Sequence, residues 1–137
     1  MPGSFFDSNV ILYLVSSDDA KASRVEALLS ARGSISVQVL NESANVLRRN
    51  REMPWPNIRA FLLELREGLD VVPVTVDIHE AGLRLAERYG FSTYDSFLVA
   101  AALAADCETL WSEDMQDGLL VEKRVRIVNP FGSIPPP

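Results

Sequence analysis

From Phe97 to Ala105 the chain runs without a single polar residue. Wound as a helix, this stretch is apolar nearly all round, which requires a buried helix. It is far shorter than the ~20 residues that span a bilayer, so its cover has to be protein. The remaining pattern of the chain supplies that cover.

Short β-rich runs alternate with helical ones along the whole sequence. Residues 4–7 read as a first strand, followed by a helix from about Asn9 to Val15. Ser16-Ser17-Asp18-Asp19 forms a turn able to cap the next helix, whose apolar face is Ala22, Val25, Leu28 and Leu29 and which Gly33 ends. Ile35 to Val39 alternates and is rich in β-branched residues, so it reads as strand two. From Leu40 the spacing turns helical, with Leu40, Ala44 and Leu47 on one stripe and Glu42 in the first turn. After Met53-Pro54-Trp55-Pro56, Pro56 is placed to open a helix with Ile58, Phe61, Leu62 and Leu65 on one face. Leu69 to Val74 reads as strand three, and Thr75 caps a helix to about Tyr89 that Gly90 closes. Ser92 or Thr93 opens the apolar helix, from Tyr94 to about Ala105. Glu108 to Trp111 is expected as strand four and Val125 to Val128 as an edge strand. Residues 130–137 are expected to form a flexible tail.

Such alternation predicts one α/β domain over 1–137, with a mostly parallel sheet of about five strands covered on both faces. At 137 residues the chain is long enough to bury a core. Its single cysteine, Cys107, rules out an internal disulfide and fits a reducing compartment. With His79 the only histidine, a Cys/His zinc site is excluded as well. Asp7 interrupts the first apolar stretch and no basic residue precedes it, so a signal peptide is not expected and the location is read as cytoplasmic.

In a parallel sheet, every strand's C-terminal end and the start of the following helix lie along one edge, where ligands bind. Asp7 leaves strand one, Glu42 follows strand two, Asp95 lies in the first turn of the apolar helix, and Asp114 follows strand four. Four carboxylates from distant positions are thus sent to one edge. Each alone is at home at a helix start, where the dipole favours an acid; capping makes no demand that four of them meet. Converging carboxylates repel one another unless a cation offsets their charge, and Mg²⁺ or Mn²⁺ suits an all-oxygen set. Such an ion polarises a phosphoryl oxygen and activates a water. The lone histidine excludes a Ser-His-Asp triad, and no phosphate-binding glycine motif is present. The formal charge of −6 is unusual for a nucleic-acid binder, although an acidic metal site contributes to it. Arg48, Arg49 and Arg51 are the candidate RNA contacts, against the plainer reading of a solvated helix end.

These residues carry a resemblance. Phe6-Asp7-Ser8-Asn9-Val10-Ile11-Leu12, Leu40-Asn41-Glu42, Tyr94-Asp95-Ser96 and Ser112-Glu113-Asp114 resemble the PIN-domain ribonucleases, and within them the VapC toxins of toxin–antitoxin pairs. The likeness implies a three-layer α/β/α fold. It implies that Asp7, Glu42, Asp95 and Asp114 form an acidic quartet binding Mg²⁺ or Mn²⁺ and cleaving RNA, with Asn9 and Ser112 in support. It also implies a VapB-like antitoxin and a toxin homodimer. Many relatives carry a further acid two residues after the fourth, where this chain has Gln116 and then Asp117. Glu113, Asp114 and Asp117 therefore compete for the fourth place, and the Ser/Thr-x-Asp pattern favours Asp114. Two other readings stand beside the nuclease: a phosphatase or phosphotransferase with Asp7 as nucleophile, which would want an acid where Asn9 stands, and a non-catalytic binding module.

Overall fold

The computed structural model describes residues 3–132. Its centre is a six-stranded sheet in the order β3-β2-β1-β4-β6-β5. The strands are β1 (Ser4–Phe6), β2 (Ser34–Ser36), β3 (Asp70–Val72), β4 (Thr109–Trp111), β5 (Leu120–Val121) and β6 (Val125–Val128). All neighbours run parallel except β5, which is antiparallel to β6. The helices are α1 (Ser8–Ile11), α2 (Asp19–Leu29), α3 (Val37–Arg49), α4 (Trp55–Gly68), α5 (Val76–Tyr89) and α6 (Thr93–Ala104), with a 3-10 turn at Leu12–Val15.

The strand order divides the helices between two faces. From β1 to β2 to β3 the chain steps outward in one direction, and from β3 it crosses back over β2 and β1 to β4. Right-handed crossovers then put α1 to α4 on one face and α5 with α6 on the other. Packing of α3 against α1 and α4, and of α5 against α6, agrees. This is the expected three-layer arrangement. Phe5, Phe6, Leu110 and Ile127 are fully buried in the sheet, and α6 buries Leu98 to Ala102 against it.

Several local expectations change. Val37 to Val39 continue no strand: Ser36 ends β2 and caps α3, its hydroxyl accepting the Val39 N–H at 3.3 Å. The β-branched residues turn helical because Val39, Ser43 and Leu47 make a buried stripe at four-residue spacing. Gly33 does not end α2, which stops at Leu29 with Ser30 as its C-cap. Gly33 serves instead where the chain passes β1: a Cβ there would stand 2.7 Å from both the Phe6 ring and the Ser4 carbonyl. Gly90 does close α5, in the left-handed conformation with φ 76°. The strand at Val125–Val128 is internal, because the two-residue β5 takes the edge. Pro130 is buried and the Phe131 ring packs edge-on against Tyr13 at 4.9 Å. Those two residues thus belong to the folded body rather than to a tail, and 133–137 lie outside the described residues.

Candidate active site

β1 and β4 are adjacent and parallel, so their C-terminal ends deliver Asp7 and Ser112 side by side. The Asp7 N–H donates to the Trp111 carbonyl at 3.0 Å, and the Ser112 N–H to that of Val128 at 3.0 Å. The Ser112 hydroxyl donates to Asp7 Oδ2 at 2.7 Å, and the Ser8 hydroxyl reaches Oδ1 at 3.4 Å. Asp7 occupies the N-cap position of α1, yet its carboxylate makes no capping hydrogen bond; the adjacent Ser8 N–H does favour its ionised form. It is also buried, with 7% of its surface exposed. Burial pushes its pKa up from 3.8 to about 6; the negative charges of Glu42 and Asp95 push the same way, and the Ser112 hydrogen bond opposes them.

Glu42 and Asp95 are thus the acids nearest in effect to Asp7, and both are half-buried. Because α3 begins at Val37, Glu42 sits in the second turn of the helix rather than the first. One turn before it, Gln38 donates through Nε2 to Glu42 Oε1 at 2.9 Å and to the Tyr94 carbonyl at 3.1 Å. That single amide ties α3 to the start of α6, beside Asp95. Asp95 lies in the first turn of α6, but the cap is Ser92, whose hydroxyl lies 3.4 Å from the Asp95 N–H. Gln38 was not among the sequence candidates. Its signal was available only as an amide four residues before an acid, which becomes meaningful once the helix start is known.

Three acids compete for the fourth place, and two of them are engaged elsewhere. Glu113 accepts the Tyr13 hydroxyl at 2.7 Å and pairs with Lys21 at 2.9 Å. Lys21 in turn lies over the Tyr13 and Phe131 rings, at 4.7 and 4.8 Å from their centroids. The Glu113 carboxylate raises the pKa of both partners, through its hydrogen bond to each. Asp117 accepts the Asn129 N–H at 2.8 Å, closing the β4–β6 connection. Asp114 stands exposed on the bend between them. Asn9 fixes the base of this bend, its Oδ1 accepting the Glu113 N–H at 3.2 Å. The arginines also divide. Arg51 is spent on the Leu12 and Val15 carbonyls, at 3.2 and 3.1 Å, so it pins the 3-10 turn rather than facing a ligand. Arg48 and Arg49 are exposed.

Among the described residues, no three acids stand close enough together to hold an ion as they are. The chemistry of the donors nevertheless fits a hard divalent cation: they are all oxygen, Asp7 is buried, and its neighbours make its ionisation costly. Mg²⁺ is commonly held by one or two carboxylates with waters filling the remaining positions, which such an open set allows.

The family model of the PIN domain matches residues 4–117. The chain belongs to the PIN-domain family. No curated protein matches it in sequence. Among solved structures it is similar to a toxin–antitoxin complex from Klebsiella pneumoniae, with TM-score 0.72 and 18% identity over 94% of this chain and 98% of that one. It is also similar to VapC20 of Mycobacterium tuberculosis, a sarcin–ricin loop cleaving toxin, with TM-score 0.66 and 20% identity over 82% and 90%. A third is VapBC2 of Rickettsia felis bound to a promoter DNA fragment, with TM-score 0.67 and 15% identity over 92% and 98%. At these identities the likeness establishes the fold.

Proposed function

We propose that the chain is a divalent-metal-dependent endoribonuclease and the toxin of a toxin–antitoxin pair. The observation that carries this reading is Asp7, a buried carboxylate at a helix start that makes no capping bond and is held at a pKa of about 6 beside Glu42 and Asp95. Membership in the PIN-domain family and the likeness to VapC20 and to toxins solved with their antitoxins support it. Asp7, Asp95 and Asp114 would hold Mg²⁺ or Mn²⁺, with Glu42 as a further ligand or as the group that orients the attacking water. When bound, the ion supplies a polarised phosphoryl oxygen and a water of lowered pKa.

The chain's own residues prepare for this. Ser112 donates to the ionised form of Asp7 and so keeps it available near neutral pH. Gln38 holds Glu42 in place, and Asn9 anchors the bend that carries Asp114. With Asn9 committed to the Glu113 N–H, the position where an aspartyl phosphotransferase wants its second acid is occupied by a structural amide. The partners on this reading are an RNA, a VapB-like antitoxin and a second copy of the toxin, all in the cytoplasm.

RNA cleavage by the purified protein with Mg²⁺ or Mn²⁺ tests the reading. Asp7→Asn and Asp95→Asn are expected to lower the rate by at least about a hundredfold. Equal rates in the parent and both variants would sink it.

A further inference from the structure

The acidic chain carries a strongly basic segment before and into α4. Residues 48–59 hold four arginines against one glutamate, in a protein of formal charge −6. In the middle of that segment stands Trp55, half exposed at 50%. It is the first residue of α4, and the prolines on either side, Pro54 at the N-cap and Pro56 within the first turn, restrict its backbone. The Arg48 guanidinium lies over its ring at 4.9 Å from the centroid, and Arg48 itself is tethered to the Met53 carbonyl at 3.3 Å. An exposed indole fixed in place and backed by an arginine is a surface made for a flat, electron-rich partner.

This platform connects with the candidate site along α3. Glu42 and Arg49 are seven residues apart, two helical turns, so they share a face and lie about 10 Å from one another. Asn45 lies between them, exposed. Arg59 stands one turn after Trp55 on α4, also exposed. Among the described residues, no carboxylate pairs with Arg48, Arg49 or Arg59. Unpaired cations beside a stacking surface, in a protein otherwise negative, match a polyanion carrying bases.

We propose that Trp55, backed by Arg48, is a stacking platform for an unpaired base of the RNA, and that Arg49 and Arg59 hold the flanking phosphates. The inference rests on the RNA-cleaving reading and adds the residues that would hold the strand beyond the acids: Trp55 for a base, Arg49 and Arg59 for phosphates, along α3 and the start of α4. Base–aromatic stacking tolerates any base, so the platform contributes affinity and register but no sequence preference. Arginine at the phosphates contributes a salt-dependent share.

The test uses the full chain carrying Asp7→Asn, so that RNA is bound and not cut, and a short fluorescently labelled oligoadenylate read by anisotropy. Trp55→Ala is expected to weaken binding about tenfold, while Trp55→Phe stays within about threefold because the ring remains. Arg49→Gln is expected to lower the slope of log affinity against log salt by about one. An abasic oligonucleotide of the same length should bind the parent and Trp55→Ala alike. Equal affinity of the parent and Trp55→Ala for oligoadenylate overturns the platform, as does no binding by the parent. So does a variant that changes only the mass of the protein in solution, which would make Trp55 a contact between copies. Cleavage assays separate this from the function itself. If Trp55→Ala, made with Asp7 intact, cleaves with unchanged KM, the platform fails and the nuclease stands. If the parent binds RNA through Trp55 but never cleaves it, the nuclease fails and the platform stands.

Discussion

Two aspartates stand at the N-cap position of a helix, and they use their carboxylates in opposite ways. Asp18 opens α2 and accepts the Lys21 N–H at 3.1 Å, out in solvent. Asp7 opens α1 without a capping bond; it is buried, its oxygens face two serine hydroxyls and the Ser8 N–H, and two further acids act on it. Residue type and helix position are the same, so neither separates a cap from a site. What separates them is where the lone pairs go. A carboxylate that neither caps its helix nor faces open solvent can serve another partner, and on the proposed function that partner is a cation.

The comparison can be broken by experiment. Its largest effect lies in the pH dependence of the metal-free protein. The folded pKa of Asp7 is raised from 3.8 to about 6, so the folded state holds this proton more tightly than the unfolded chain. Stability from this group is therefore full below pH ~4 and falls as pH rises to about 6, by about 3 kcal/mol. Urea unfolding of chelator-treated protein should show that decline, and Asp7→Asn should flatten it; an unchanged slope in the variant would assign the strain elsewhere. Next in size is the ion itself. Mg²⁺ or Mn²⁺ at a hundred times its dissociation constant should stabilise the parent by about 2.7 kcal/mol, seen as a rise in Tm. Asp7→Asn should lose most of that rise, whereas a rise kept in full would remove Asp7 from the ligand set. Smallest is the cap. Asp18→Ala should cost about 1 kcal/mol and leave both RNA cleavage and the metal response as they were.

Much of this contrast was legible before the fold was known, and the rest was hidden for identifiable reasons. Asp7 and Asp95 could be placed because strand exits and helix starts leave local marks: an aromatic pair before Asp7, Ser92 before Asp95. The run from Phe97 to Ala105 announced a buried helix by composition alone. Val37 to Val39 misled, because intrinsic preference for strands is weaker than a buried stripe and a serine cap. That error moved Glu42 by a turn and concealed Gln38. The two-residue β5 has no periodicity to detect, so in the sequence the strand beside it reads as the edge. Arg51 looked like its neighbours in sequence; only the positions of the Leu12 and Val15 carbonyls distinguish a pin from a free cation. The roles of Glu113 and Asp117 depend on Tyr13, Lys21 and Asn129, contacts too distant in the chain for local spacing to reveal.

The bond from Ser112 to Asp7 closes a loop of 105 residues, and its timing follows from that. β1 is made first, but its partner β4 comes near the end of the folded body. A ribosome therefore exposes the first acid long before the hydroxyl that keeps it ionised can reach it. Chain closures over such distances are slow and come late in folding. A nascent or half-folded copy thus lacks the paired Asp7 and Ser112, and on the proposed function it would be harmless to RNA until β4 has been made and has docked beside β1.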